Sequence, residues 1–188
     1  MTDDEAREPD HETHEPGGPL ASEVTTAIVE KFPGAICRDS HGQAVAYLDR
    51  SAFADVARFL RDEQQFTMCI DVTAVDHLLT GSRLPLPEGV VAERFEVVAN
   101  FLSHARNERV RVICQVPASD PKVPSLTGVY MGTNFPERET YDLFGIEFDG
   151  HPDLTRILMP DDWKGYPLRK DDPAGRVPVT FKGDPAPR

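Results

Sequence analysis

The sequence predicts an α+β fold, a two-layer sandwich of helices on a largely antiparallel sheet with an extended Pro-rich C-terminal arm, and three observations predict it. Two short stretches carry apolar residues at helical spacing, one before and one after a pair of strand-like runs. Three more strand-like runs follow in succession, so the elements read α-β-β-α-β-β-β. From residue 117 onward proline recurs at Pro117, Pro121, Pro124, Pro136, Pro152, Pro160, Pro167 and Pro173, which leaves room for one short helix and otherwise extended chain.

The first helix is expected to start at Ser22, whose hydroxyl can cap it. Val24, Ile28 and Phe32 lie along one side, and Pro33-Gly34 stops it. Residues 35–38 and 43–48 flank the polar Asp39-Ser40-His41-Gly42, the pattern of a hairpin. Ser51 is expected to cap a second helix, with Phe53, Val56, Phe59 and Leu60 at helical spacing. Residues 68–79 read as a strand in which Cys69, Ile70, Val72 and Val75 are mostly interleaved with polar positions. A Gly- and Pro-bearing loop, 80–89, leads to a strand at 94–103, and Ala105-Arg106-Asn107-Glu108 turn the chain into 109–116. These strands form an antiparallel meander whose apolar face the helices cover. The last helix is expected to have Asn134 as its cap, Pro136 in its first turn, Glu137 three residues after the cap and Gly145 at its end.

At 188 residues the chain has the size of one domain with an appendage. It divides into an acidic N-terminal tail expected to be disordered (1–20), an α+β core domain (21–120), a signature segment and extended docking arm (121–173) and a C-terminal tail (174–188). The formal charge of -12 argues against nucleic acid, whose phosphates demand a basic surface. Much of that charge is local, since residues 1–19 set seven carboxylates against Arg7 alone. No apolar run approaches the roughly 20 residues that cross a bilayer, and no secretory signal is read at the start. Membrane association is therefore expected only through a partner. Cys37, Cys69 and Cys114 are odd in number, widely spaced and form no CxxC pair, so neither a zinc site nor an iron–sulfur cluster has a local framework.

The densest chemistry lies in 137–154. On a helical period Arg138 and Asp142 share a face, with Glu139 beside Asp142, while Tyr141 and Phe144 share another. A solvated charged face is one reading of such a helix. Clustered carboxylates with His151 could also make an acid–base pair or a hard-metal site. Yet no GxSxG turn, HExxH, EF-hand spacing or GxGxxG loop accompanies them. Catalytic, cofactor-binding and metal-ligating residues are therefore assigned to none.

The run Glu137-Arg138-Glu139-x-x-Asp142-Leu143-Phe144, with His151 and Ile157-Leu158 at the expected distances, resembles the signature of the C subunit of respiratory complex I, the NADH:quinone oxidoreductase. Pro124-Ser125-Leu126-Thr127, Gly150-His151-Pro152-Asp153-Leu154, Arg156-Ile157-Leu158-Met159-Pro160, Asp162-Trp163, Gly165 and 167–171 extend the match, and 73–76 adds a weaker feature. Thr155, Phe135 and Asp172 depart from the pattern, standing where the family has a basic residue or proline, a tryptophan and an aromatic. The resemblance implies a structural and assembly subunit of the peripheral arm, on the cytoplasmic face of the cell membrane. Its partners would be the quinone-site and iron–sulfur subunits. NADH, FMN, iron–sulfur clusters and quinone would serve the whole complex, with none bound by this chain, which alone would be inactive. The implied interface residues are Glu137, Arg138, Glu139, Asp142, His151, Asp153, Arg156, Trp163, Tyr166, Arg169 and Lys170. An equivalent subunit of a membrane-bound hydrogenase, a formate-hydrogen lyase or a complex fed by another donor is the alternative that the same resemblance leaves open.

Overall fold

Ser22 starts the described chain as it starts the first helix: its hydroxyl accepts the Thr25 amide at 3.2 Å, and the Thr25 hydroxyl accepts the Ser22 amide at 3.1 Å. This reciprocal cap launches α1 (Glu23–Lys31), which buries Val24, Thr25 and Ile28. The structure is a computed structural model and describes residues 22–79 and 85–172; the predicted tails at 1–20 and 174–188, and 80–84 of the predicted loop, lie outside them. The hairpin forms as β1 (Ile36–Ser40) and β2 (Gln43–Leu48), turned by His41 and Gly42 at φ 54° and 77°.

The second helix differs from expectation at its start. Asp49, not Ser51, is the cap: its carboxylate accepts the Ser51 amide at 2.8 Å and the Ser51 hydroxyl at 2.6 Å. It initiates one 3-10 turn (Arg50–Ala52) that runs into α2 (Phe53–Asp62). The amphipathic pattern set the helix body, while a carboxylate two residues upstream holds both the amide and the hydroxyl of Ser51, the residue expected to cap it.

β3 (Met68–Asp76), β4 (Phe95–Ser103) and β5 (Glu108–Val116) make the antiparallel meander, and β2 joins it parallel to β5. The sheet order is β1-β2-β5-β4-β3. Period-two alternation sends Ala44, Ala46 and Leu48 of β2, Val110, Val112 and Cys114 of β5, and Val97, Ala99 and Phe101 of β4 to one face. There they meet Val24 and Ile28 of α1 and Phe53, Val56 and Leu60 of α2 in one core.

The proline-rich segment adds to this core. β6 (Lys122–Pro124) pairs in parallel with β7 (Glu147–Asp149), a pairing the sequence had not suggested. Val123, Leu126, Val129, Tyr130, Phe144, Ile146 and Phe148 all join the core cluster. The Tyr130 hydroxyl donates to the Phe66 carbonyl at 2.7 Å. A 3-10 turn (Met131–Thr133) feeds α3 (Asn134–Phe144), so Asn134 lies inside the helical run and caps nothing. α3 lies along the edge strand β3, where the Thr140 hydroxyl donates to the Val72 carbonyl at 3.0 Å. Residues 150–172 contain no helix or strand and follow the surface as an irregular arm.

Candidate functional site

Three carboxylates hold α3 and the arm in place. Glu137, three residues after the expected cap, points inward and is fully buried. One oxygen accepts the Leu126 amide at 2.7 Å and the other the Ser125 hydroxyl at 2.6 Å. Burial raises its pKa, against the opposing pull of the Ser125 and Thr133 hydroxyls and the Leu126 amide.

Asp142, one turn further along, is also fully buried. A single oxygen accepts three consecutive amides, those of Ile157, Leu158 and Met159, at 3.0, 2.7 and 2.8 Å. The other oxygen takes the Arg156 guanidinium at 2.6 Å. Burial disfavours the charged form, but the three amides and Arg156 outweigh it and hold the carboxyl below the ordinary aspartate range. Arg156 also donates to the Gly165 carbonyl at 3.0 Å, which folds the arm back on itself.

The third clamp was not found from the sequence. Asp76, at the end of β3, accepts Arg94 on both oxygens at 3.1 and 2.8 Å, the Leu78 amide at 3.0 Å and the Lys170 amide at 2.9 Å. Burial opposes its charge, yet Arg94 and the two amides bring its pKa down to about 2. Arg94 then grips Asp171 with a second pair of bonds at 2.9 and 2.6 Å. A signal for it existed: Val72, Ala74 and Asp76 share the inward phase of one strand, and a carboxylate at an inward position demands hydrogen-bond donors or a cation from elsewhere in the chain.

The arm also closes the end of α3. Gly145 ends the helix at φ 69°, leaving the last carbonyls without partners in the helix. Leu168 donates its amide to the Leu143 carbonyl at 3.0 Å, while the Arg169 guanidinium donates to the Phe144 and Gly145 carbonyls. Tyr166 lies between Arg156 and Arg169, whose guanidinium carbons stand 5.4 and 4.6 Å from its ring centroid, and it meets Tyr141 edge-on.

Arg138 does not pair with Asp142 as helical spacing had suggested. It donates to the Thr155 carbonyl and hydroxyl at 3.0 and 2.9 Å and to the Arg156 carbonyl at 3.2 Å. Asp142 is turned inward and already saturated, so Arg138 reaches across the arm to backbone oxygen. Phe135 stands beneath it, exposed. His151 accepts the Asp153 amide at its Nδ1 and faces the Asn134 carbonyl through Nε2 at 3.2 Å, so the neutral Nε2–H form satisfies both. The side chains of Glu139, Asp153 and Lys170 lie at the surface, and Trp163 is half-buried with its indole N–H unpartnered among the described residues. Phe148 is a core residue. Asp172, one of the departures, accepts the Tyr166 amide at 2.8 Å. Burial pushes the thiols of Cys37 and Cys69 up to about 11 and about 12 and that of Cys114 higher still. No helix among the described residues is long and apolar enough to cross a membrane.

Fold and clamps together define a two-layer α+β domain that holds an irregular arm against its last helix through buried carboxylates. The family model described as respiratory-chain NADH dehydrogenase, 30 Kd subunit, matches residues 46–177, and the chain belongs to that family. The C subunit of the NADH-quinone oxidoreductase of Salinispora arenicola is 41% identical over 175 residues, covering 89% of this chain and 67% of that protein. Its counterpart in Saccharopolyspora erythraea is 44% identical over 144 residues, 76% of this chain and 54% of that protein. The chain thus spans between about half and two thirds of the length of these relatives. Among solved structures, a trypsin-resistant fragment of Nqo5 superposes with a TM-score of 0.59 at 33% identity, over 70% of this chain and 96% of that one.

Proposed function

We propose that this chain is a non-catalytic structural and assembly subunit in the peripheral arm of an NADH:quinone oxidoreductase, and that it sits on the cytoplasmic face of the membrane against the quinone-site and iron–sulfur subunits. Electron transfer from NADH to quinone, coupled to proton translocation, belongs to the assembled complex, and the isolated chain is inactive. One observation carries this reading: the signature's carboxylates, Glu137 and Asp142, are fully buried and engaged on both oxygens by donors of their own chain. A general base must reach a substrate proton, and both carboxylates are fully buried with each oxygen already accepting from the protein. Their chemistry is spent on shape.

The test is capture of the tagged chain from detergent-solubilised membranes of its host, beside the chain purified alone. The captured assembly is expected to carry flavin and iron and to reduce quinone with NADH, while the chain alone is colourless and without turnover. Capture of the chain without companions, or NADH oxidation by the chain alone, would overturn the proposal.

A further inference from the structure

The helices cover one face of the five-stranded sheet; the other carries the opposite phase of each strand. The register sets Arg38 of β1, Val45 of β2, Arg111 of β5, Asn100 of β4 and Asp71 of β3 in one row. Arg109 stands two residues from Arg111 on the same strand and face. Neighbouring strands lie about 4.8 Å apart and alternate residues about 7 Å. The Cα positions of the three arginines therefore flank Val45 within roughly 12 Å of one another. Val45 belongs to no part of the main core yet is almost fully covered, as the stems of flanking arginines would leave it. Arg111 donates through Nε to Asn100 at 3.2 Å, and no carboxylate pairs with Arg38, Arg109 or Arg111 among the described residues. Asp71 lies at the far end of the row, two strands from Arg111. In a chain of net charge -12, this face gathers three arginines.

The chain enters the described structure beside this band. Glu23, next to Ser22, pairs with Arg106 in the turn between β4 and β5 at 3.3 Å. β5 begins at that end of the sheet, as do β2 and the final residues of β1. Arg109, Arg111 and Arg38 all lie within a few residues of it. Upstream of Ser22 stand Asp3, Asp4, Glu5, Glu8, Asp10, Glu12 and Glu15, with Arg7 as the one Lys or Arg among residues 1–19. From Ser22 back to Glu15 is a span of seven residues, about 23 Å when extended, enough to cross two or three strands.

We infer that the acidic segment 3–15 docks on the Arg38–Arg109–Arg111 band of its own chain. The contact is electrostatic and reversible, since exposed pairs are individually weak and a tether supplies an effective concentration on the order of millimolar.

The core residues among the described ones run from Val24 to Phe148, and a melting curve checks that a chain lacking residues 1–19 keeps its fold. A labelled synthetic peptide of residues 2–19 is titrated by fluorescence anisotropy into the shortened chain, the full chain and a shortened Arg38→Gln/Arg111→Gln variant. Binding to the shortened chain is expected, at least about tenfold weaker for the full chain and for the variant. It should vanish between about 0.01 M and about 1 M salt, over which the screening length falls from about 30 to about 3 Å. Equal binding to the full and shortened chains, binding indifferent to the two substitutions, or no binding at low salt would each overturn the inference. So would concentration-dependent dimerisation of the shortened chain through this face, which would make a second copy the occupant.

Discussion

Replacing Asp142 by asparagine keeps the shape of the side chain and changes one contact. The amide oxygen can still accept Ile157, Leu158 and Met159, but its nitrogen then faces the Arg156 guanidinium across a 2.6 Å contact, donor against donor. The Arg156 side chain is only 16% exposed and loses its counter-charge. Breaking a buried pair costs about 3–5 kcal/mol, and the lower end applies because the Gly165 and Asp142 carbonyls still accept from Arg156. Asp142→Ala also strands three amides at roughly 1 kcal/mol or more each. Its total of about 6 kcal/mol approaches the whole stability of an ordinary domain. Urea unfolding of the isolated chain measures both. The sign with pH follows from the depressed pKa: the stabilisation is present above the unfolded value of about 3.9 and is lost as pH falls through the folded value. The gap between wild type and Asp142→Asn should therefore be full at pH 7 and narrow below about pH 4. An asparagine variant within about 1 kcal/mol of wild type at pH 7 would refute the clamp, as it would fall below the cost of any broken buried pair.

Gly145→Ala places a Cβ 2.5 Å from the Tyr166 ring and 2.7 Å from Arg169 at a φ of 69°, so about 2–3 kcal/mol of destabilisation and faster tryptic cleavage of the arm are expected. Arg94→Gln frees Asp171 and leaves Asp76 with amides alone; hydrogen exchange at the Lys170 amide should rise well before the sheet amides respond. Glu137 has a raised pKa, so its contribution is present below the unfolded value of about 4.3 and lost as pH rises through the folded one. Glu137→Gln should match or exceed wild type at pH 7 in thermal melts and lose that advantage in acid. Glu137→Ala, which orphans the Leu126 amide and leaves a cavity, should cost about 3 kcal/mol.

What could be read from the sequence was local. Ser22 with its apolar stripe announced α1, and Gly145 announced the end of α3, because caps and periodicity act within a few residues. The meander was legible because its strands follow one another in the chain. The parallel contact of β2 with β5, the β6–β7 pair and the bond between Asp76 and Lys170 join residues far apart, and nothing in their own neighbourhoods specifies the partner. Glu137 and Arg138 show the same limit within the signature. Spacing placed both correctly on the helix, but which side faced the core depended on the 3-10 turn before it and on the arm laid over it.

The grip of Asp142 on the arm is made through backbone amides, which every residue except proline possesses. Ile157, Leu158 and Met159 contribute to it nothing that distinguishes one side chain from another. The path of the arm is thereby separated from its outward lettering. Leu158, 59% exposed, can be exchanged to suit a different neighbour without moving the chain that carries it. Asp142 has no such latitude, since it alone supplies the oxygen on which all three amides converge. One fixed residue thus underwrites three free ones, and a scaffold of this kind can change what it presents while keeping how it folds.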